Sequence, residues 1–227
     1  MEQLSPQLMN RLVFSVIMHG LNDAQTNLAL NVLTDALRHE NQNIRELAVV
    51  ALADLSLPSQ RRVPAISSAM ADPSARVRRR AARALGDQGH AAAVAFPALR
   101  AGLRDSDLSV RRDCAGAIGR LGPTAAGATF ELVALLSDAD DRTRAVVAVA
   151  LKRIGQTAVP ALLAGMRANS ANLRGRCATL LAKIAPDNPE VESMLSTVLS
   201  DEDAEVRARA DEAIQLVRTP APQMLAI

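Results

Sequence analysis

The sequence repeats itself every thirty-three residues. Arginines at positions 45, 78, 111, 144, 174 and 207 are separated by 33, 33, 33, 30 and 33 positions. The residues just before them are Ile44, Val77, Val110, Thr143, Leu173 and Val206. Seven positions after each arginine come Leu52, Leu85, Ile118, Leu151, Leu181 and Ile214, and eight before come Leu37, Met70, Leu103, Leu136, Met166 and Leu199. Six before stand His39, Asp72, Asp105, Asp138, Ala168 and Asp201, so that acid fills four of six places. A unit this short cannot bury its apolar stripe alone. Copies must therefore stack, each touching its neighbours, and a globule around one central core is excluded.

Each unit reads as two helices joined by a polar turn. The first ends near the Asp position, and the second carries the arginine in its first turn. Pro64, Pro97 and Pro160 fall near the expected start of the first helix, where a missing N–H costs little. Gly89, Gly122 and Gly155 fall where the second helix should stop. The 30-residue unit has lost three residues between Gly155 and Pro160, which leaves helix lengths intact. Composition agrees. The 227 residues include 43 Ala, three Phe and neither Trp nor Tyr, which suits closely packed helices and not an aromatic β-sandwich. The organisation expected is a capping helix over residues 1–22, opened by Ser5-Pro6, six repeats over 23–218, and a tail over 219–227.

The pattern Leu-x-Asp-x-x-x-x-Val-Arg-x-x-Ala-x-x-Ala-Leu-Gly, legible from Met70 to Gly86 and from Leu103 to Gly119, resembles the HEAT repeat. It is most similar to the short bacterial variety also found in phycobilisome-lyase-type proteins. The resemblance covers about residues 24–217. It implies an all-α fold, a right-handed α-solenoid of about six HEAT-like helical hairpins, with second helices lining a concave side. It also implies a structural ladder between adjacent repeats, built from Asp72, Asp105, Asp138 and Asp201 with Arg78, Arg111, Arg144, Arg174 and Arg207. Ala168 then leaves a weak rung between units four and five. Fold-level likeness says little about function.

Reactive constellations are absent from the sequence. Cys114 and Cys177 occupy a column otherwise filled by Ala48, Ala81, Val147 and Ala210, and read as small buried thiols two units apart. Of His19, His39 and His90, only His39-Glu40 has the His-Glu form by which a solenoid family of lysine-modifying oxygenases holds iron. A single pair cannot build a two-metal site. No phosphate loop or nucleophile elbow occurs, so no catalytic residue, cofactor or metal is expected.

The outward positions of the second helices carry the candidates for binding. Gly86, Gly116, Gly119 and Gly175 lie on that face, either because neighbouring helices crowd there or because a shallow groove admits a partner's backbone. Residues 60–120 hold 12 basic and 5 acidic side chains, although the chain as a whole carries only +2. Arg79, Arg83 and Arg112 project from the face with Arg76 at its edge, and Asp87 and Asp107 stand nearby in sequence. Arginine suits bidentate pairing with carboxylate. The partner expected is another protein, through an acidic segment, since no aromatic side chain is present there to stack a base. Tetrapyrrole handling, as a bilin lyase or chaperone, and nucleic-acid binding remain the alternatives. No secretory signal is legible, no run approaches the ~18 consecutive apolar residues of a membrane helix, and two distant cysteines frame no disulfide scaffold, so the expected location is cytoplasmic. On this reading, Arg79→Glu with Arg83→Glu abolishes partner capture and leaves the melting temperature unchanged.

Overall fold

The computed structural model describes residues 23–138 and 140–218. These form six helical pairs in chain order, with no strand among the described residues. The expected capping helix over 1–22 and tail over 219–227 lie outside them. The pairs gather into two compact units, one ending at Leu121 and the other starting at Gly122. The first unit holds α1 (Asp23–Ala36) with α2 (Gln42–Asp54), α3 (Ser59–Ser68) with α4 (Ala75–Asp87), and α5 (Phe96–Gly102) with α6 (Leu108–Leu121). The second holds α7 (Thr129–Leu135) with α8 (Asp141–Ile154), α9 (Val159–Gly165) with α10 (Ala171–Ile184), and α11 (Pro189–Val198) with α12 (Ala204–Arg218). Inside the first unit α2, α4 and α6 pack in a row; α8, α10 and α12 do so inside the second.

The repeat columns explain the packing. Val77, Ala81 and Leu85 on α4 and Val110, Cys114 and Ile118 on α6 are all fully buried, one residue per turn along a single stripe. Thr143 takes the apolar place on α8 and is equally buried, but its hydroxyl donates to Asp140 Oδ2 at 2.7 Å, so no polar group is stranded. Burying one Val or Leu side chain contributes roughly 1.5–3 kcal/mol, so this stripe drives the stacking.

Helix ends follow the punctuation, with one exception. Gly89, Gly122 and Gly155 turn the chain out of the second helices with φ of 54°, 62° and 74°, a conformation that other residues rarely adopt. Pro97 and Pro160 open α5 and α9. Pro64 instead lies inside α3, which begins five residues earlier at Ser59. Short 3-10 stretches, which periodicity does not reveal, lead into three of the first helices: Gly89–Ala95, Gly122–Ala128 and Gly155–Ala158. The first two have 7 residues and the third has 4, so the missing three residues come entirely from this lead-in. α5, α7 and α9 keep seven residues each.

The stretch Asp141–Gly165 has the length and apolar character of a membrane span. It is two helices of successive repeats, broken at Gly155 where φ is 74°, and half of its most apolar window is buried inside the protein. That is the expected behaviour of core helices.

Size matching fixes how closely the two helices of a pair approach. A Cβ at Gly102 would collide with Cys114 Sγ and come within 3.1 Å of Met70 Cε. Gly165 meets Cys177 in the same way, with Sγ 2.5 Å and Val133 Cγ1 2.9 Å from the added carbon. Thus each cysteine faces a glycine, and the larger sulfur takes up the space. Both thiols are free, and burial pushes each up to about 12, which leaves them inert at neutral pH. Alanine normally favours a helix over glycine by roughly 1 kcal/mol. Gly102→Ala should nevertheless destabilise the protein by about 1–3 kcal/mol in chemical denaturation. Adding Cys114→Ala should recover most of that loss; a fully stable Gly102→Ala chain would contradict the packing described.

Candidate functional site

In three of the repeats one guanidinium serves two turns. Arg78 donates from Nη1 to the carbonyls of Asp72 and Pro73, at 2.9 and 3.1 Å, and so closes the turn between its own helices. Its other edge donates from Nε and Nη2 to the Asp105 carboxylate of the next repeat, both at 2.7 Å. Arg45 makes the same fork to Asp72 at 2.7 and 3.0 Å, and Arg174 to Asp201 at 2.8 and 2.7 Å. Arg111 and Arg207 hold their own turns likewise, through the carbonyls of Asp105 and Ser106 and of Asp201 and Glu202. A planar fork with five donors permits this double duty; an ammonium would not.

The ladder aspartates do not cap the second helices directly. Asp72, Asp105, Asp138 and Asp201 each accept from the N–H two residues on, those of Ser74, Asp107, Asp140 and Asp203, at 2.8 to 3.1 Å. Three of those following residues cap; Ser74 makes no side-chain cap bond. Asp107 accepts from the Ser109 and Val110 N–H groups, Asp140 from Thr143, and Asp203 from Glu205 and Val206. The carboxylate therefore links three elements: the next cap, its own turn and the previous repeat's arginine. His39, at the same position in the first repeat, does the local part of the job. Its Nδ1 accepts the Asn41 N–H at 2.9 Å, so the residue is a turn acceptor. Among the described residues no cluster of ligands suits a metal ion. His19 lies outside them.

Ala168 breaks the ladder as expected. Arg144 has no acid in the fifth repeat to reach, and its Nη2 turns to Asp141 on its own helix. Its Nε is buried without a hydrogen bond.

The basic stretch is arranged differently from its sequence reading. Four arginines of α4 lie over two carboxylates from the flanking second helices. Arg76 and Arg80 share Glu46 of α2, each at 3.0 Å; Arg79 and Arg83 share Asp113 of α6, at 3.5 and 2.9 Å. The Glu46 and Asp113 side chains are only 14% and 10% exposed, whereas Arg76 is 63% exposed and Arg83 51%. The carboxylates are therefore covered and the guanidinium groups face outward, with two positive charges in excess. Arg112, half-buried on α6, donates to Ser109 Oγ at 3.4 Å. Asp87 goes to Arg120 at 3.8 Å and Asp107 is a helix cap, so neither balances this ridge. Sequence reading missed Glu46 and Asp113, whose only signal was their place one and two positions after the repeat arginine. Their presence also alters one expectation. Glu at positions 79 and 83 would set acid against covered Asp113, so that double reversal lowers the melting temperature.

The glycines answer the choice between crowding and a groove. Gly86 and Gly119 are buried and Gly116 is half-buried. A Cβ at Gly86 would lie 2.5 Å from Arg120 Nη1 and 3.2 Å from Ala117 Cα, so α4 and α6 crowd there and an arginine already fills the gap. Gly175 is buried under Arg209, whose Cδ would be 2.7 Å from an added Cβ. Gly86 and Gly175 are thus sites of close helix approach.

The ladder makes stability depend on acid. The hydrogen bond from Arg78 holds the Asp105 carboxyl below the ordinary carboxylate range, and Arg174 does the same for Asp201. A carboxylate with a depressed folded-state pKa contributes stability that is complete above its unfolded value, near 3.9. That contribution is lost as pH falls through the lower folded value. Urea midpoints should therefore drop on acidification below about pH 4. In Asp105→Asn the drop should be shallower from a lower starting point; an unchanged acid limb would deny the rung its ionic character.

The comparisons place this geometry. Over 93% of its length the chain superposes on importin beta with a TM-score of 0.70 at 14% identity, matching 33% of that longer chain. An engineered protein matches over 87% of this chain and 97% of its own, with a TM-score of 0.57 and 20% identity. The complex of CpcE and CpcF of phycocyanin lyase from Nostoc sp. PCC7120 matches over 80% of this chain and 74% of its own, at 23% identity and a TM-score of 0.49, too little to carry an argument. These likenesses speak to fold alone. No curated protein matches the sequence. The family model for HEAT repeats matches residues 30–112, 63–152 and 96–169, and the chain belongs to the HEAT-repeat family.

Proposed function

We propose that this protein is a non-catalytic interaction scaffold whose arginine ridge on α4 receives an acidic segment of a partner protein. HEAT repeats generally mediate protein interactions, which supports the broader role. The observation that carries the finer reading is the layering of charge. Two covered carboxylates hold Arg76, Arg79, Arg80 and Arg83 in place, and exposed guanidinium edges remain for bidentate pairing. The Arg76, Arg80 and Arg83 side chains are 63%, 45% and 51% exposed, so a second carboxylate can pair with them while Glu46 and Asp113 stay covered. Helices α4 and α6 carry no aromatic residue, which favours an acidic peptide over single-stranded nucleic acid. No observation favours tetrapyrrole handling.

The test is fluorescence anisotropy with a labelled oligoglutamate peptide, an oligolysine peptide and a short DNA duplex. Oligoglutamate should bind and oligolysine should not. Glutamine at Arg76, Arg79, Arg80 and Arg83 together should weaken oligoglutamate binding at least about tenfold, with the helical circular dichroism spectrum retained. Absence of oligoglutamate binding, or equal affinity in the glutamine variant, overturns the reading. Tighter binding of the duplex with a steep salt dependence would put nucleic acid in the partner's place.

A further inference from the structure

The fourth and fifth repeats meet differently from the other neighbouring repeats within each compact unit. The first and second, second and third, and fifth and sixth repeats are each joined by a fork. Arg45 reaches Asp72, Arg78 reaches Asp105 and Arg174 reaches Asp201, all at 2.7–3.0 Å. Their second helices also meet at small residues in fixed register. A Cβ on Gly86 of α4 would lie 3.2 Å from Ala117 Cα of α6, and the corresponding pairs are Ala53 with Ala84 and Ala182 with Ala213. Between the fourth and fifth repeats the fork is missing, because Ala168 takes the place of the acid, and the corresponding pair is Lys152 with Leu180. Larger side chains hold these two helices apart. α10 packs extensively against α12 but only sparingly against α8. Ala148 of α8 is half-buried where Val49, Ala82 and Ala178 are fully covered, and Val149 beside it is 47% exposed.

The first helices of the same two repeats stay close. A Cβ on Gly165 of α9 would come within 2.9 Å of Val133 Cγ1 on α7. The junction is therefore tight along its first helices and loose along its second helices, which is the geometry of a hinge. We propose that the fifth and sixth repeats swing as one block about the α7–α9 contact, opening and closing the gap between α8 and α10. Arg144 does not span that gap: it is tied to the Asp138 carbonyl of its own turn and to Asp141 of its own helix. Inside the block, the fork from Arg174 to Asp201 and the packing of α10 on α12 keep the two repeats together. The chain crosses the junction at Gly155, where φ is 74° and no atom lies within 4 Å of the place a Cβ would take, so the turn follows the swing without a steric stop. The hinge belongs to the second compact unit and the ridge on α4 to the first.

Nitroxide labels on the full chain test it through electron paramagnetic resonance distances. One pair, Arg153→Cys with Lys183→Cys, spans the hinge; the other, Lys183→Cys with Leu216→Cys, spans the intact rung. All three positions are exposed and stand nine places after a repeat arginine, so the two pairs report on equivalent sites. Cys114 and Cys177 are buried and stay unlabelled. The distance distribution of the first pair should be roughly twofold broader than that of the second. Ala168→Asp returns an acid to face Arg144 and should narrow the first distribution towards the second. Equal widths in the two pairs overturn the proposal, and so does a hinge distribution left as broad in a folded Ala168→Asp chain. Should that variant fail to fold, the comparison of the two pairs decides by itself.

Discussion

The repeats are kept in register by one side chain used twice. Arg45, Arg78 and Arg174 each spend Nη1 on carbonyls at the turn of their own pair and the Nε–Nη2 edge on the acid of the next. Hydrophobic burial supplies most of the energy of stacking, since every repeat adds several fully buried aliphatic side chains at roughly 1.5–3 kcal/mol each. Burial is non-directional, however, and alanine-rich helix faces slide past one another at little cost. A planar fork meeting a planar carboxylate at 2.7 Å permits no such slip.

Small residues let the helices approach closely. Gly102 and Gly165 give up a methyl to make room for Cys114 and Cys177, and Gly86 gives way to Arg120. The two cysteines therefore need no redox or nucleophilic role to explain them: each fills a gap left by glycine, and burial holds its proton on. On the second-helix face of α4, charged side chains stand clear of the surface. Arg76, Arg80 and Arg83 stand clear in this way.

Much of this was legible in the sequence because repetition turns a weak local signal into a column. The helical pairs, the turning glycines, the buried thiols and the gap at Ala168 all follow from register. What register could not show depends on geometry between neighbours. The 3-10 lead-ins have no periodic signature, and the outward position of Gly86 became buried because α6 leans onto it. The acids that hold the arginine ridge, Glu46 and Asp113, sit at different offsets in different repeats, so no column exposes them. The His39-Glu40 dipeptide, a single pair and so no two-metal site, suggested no role; the place of His39 in the aspartate column was the better guide, since a ring nitrogen can accept the same N–H. Within a HEAT-repeat chain, departures from the columns are thus where individual function is to be sought.

A double-mutant cycle on Arg78 and Asp105, read by urea denaturation, tests most directly whether the fork couples adjacent repeats. The account predicts that Arg78→Ala and Asp105→Ala each destabilise the protein and that the double variant costs about 2 kcal/mol less than their sum. Losses that add to within about 0.5 kcal/mol would mean that the pair contributes no coupling, and that shape and burial alone set the register.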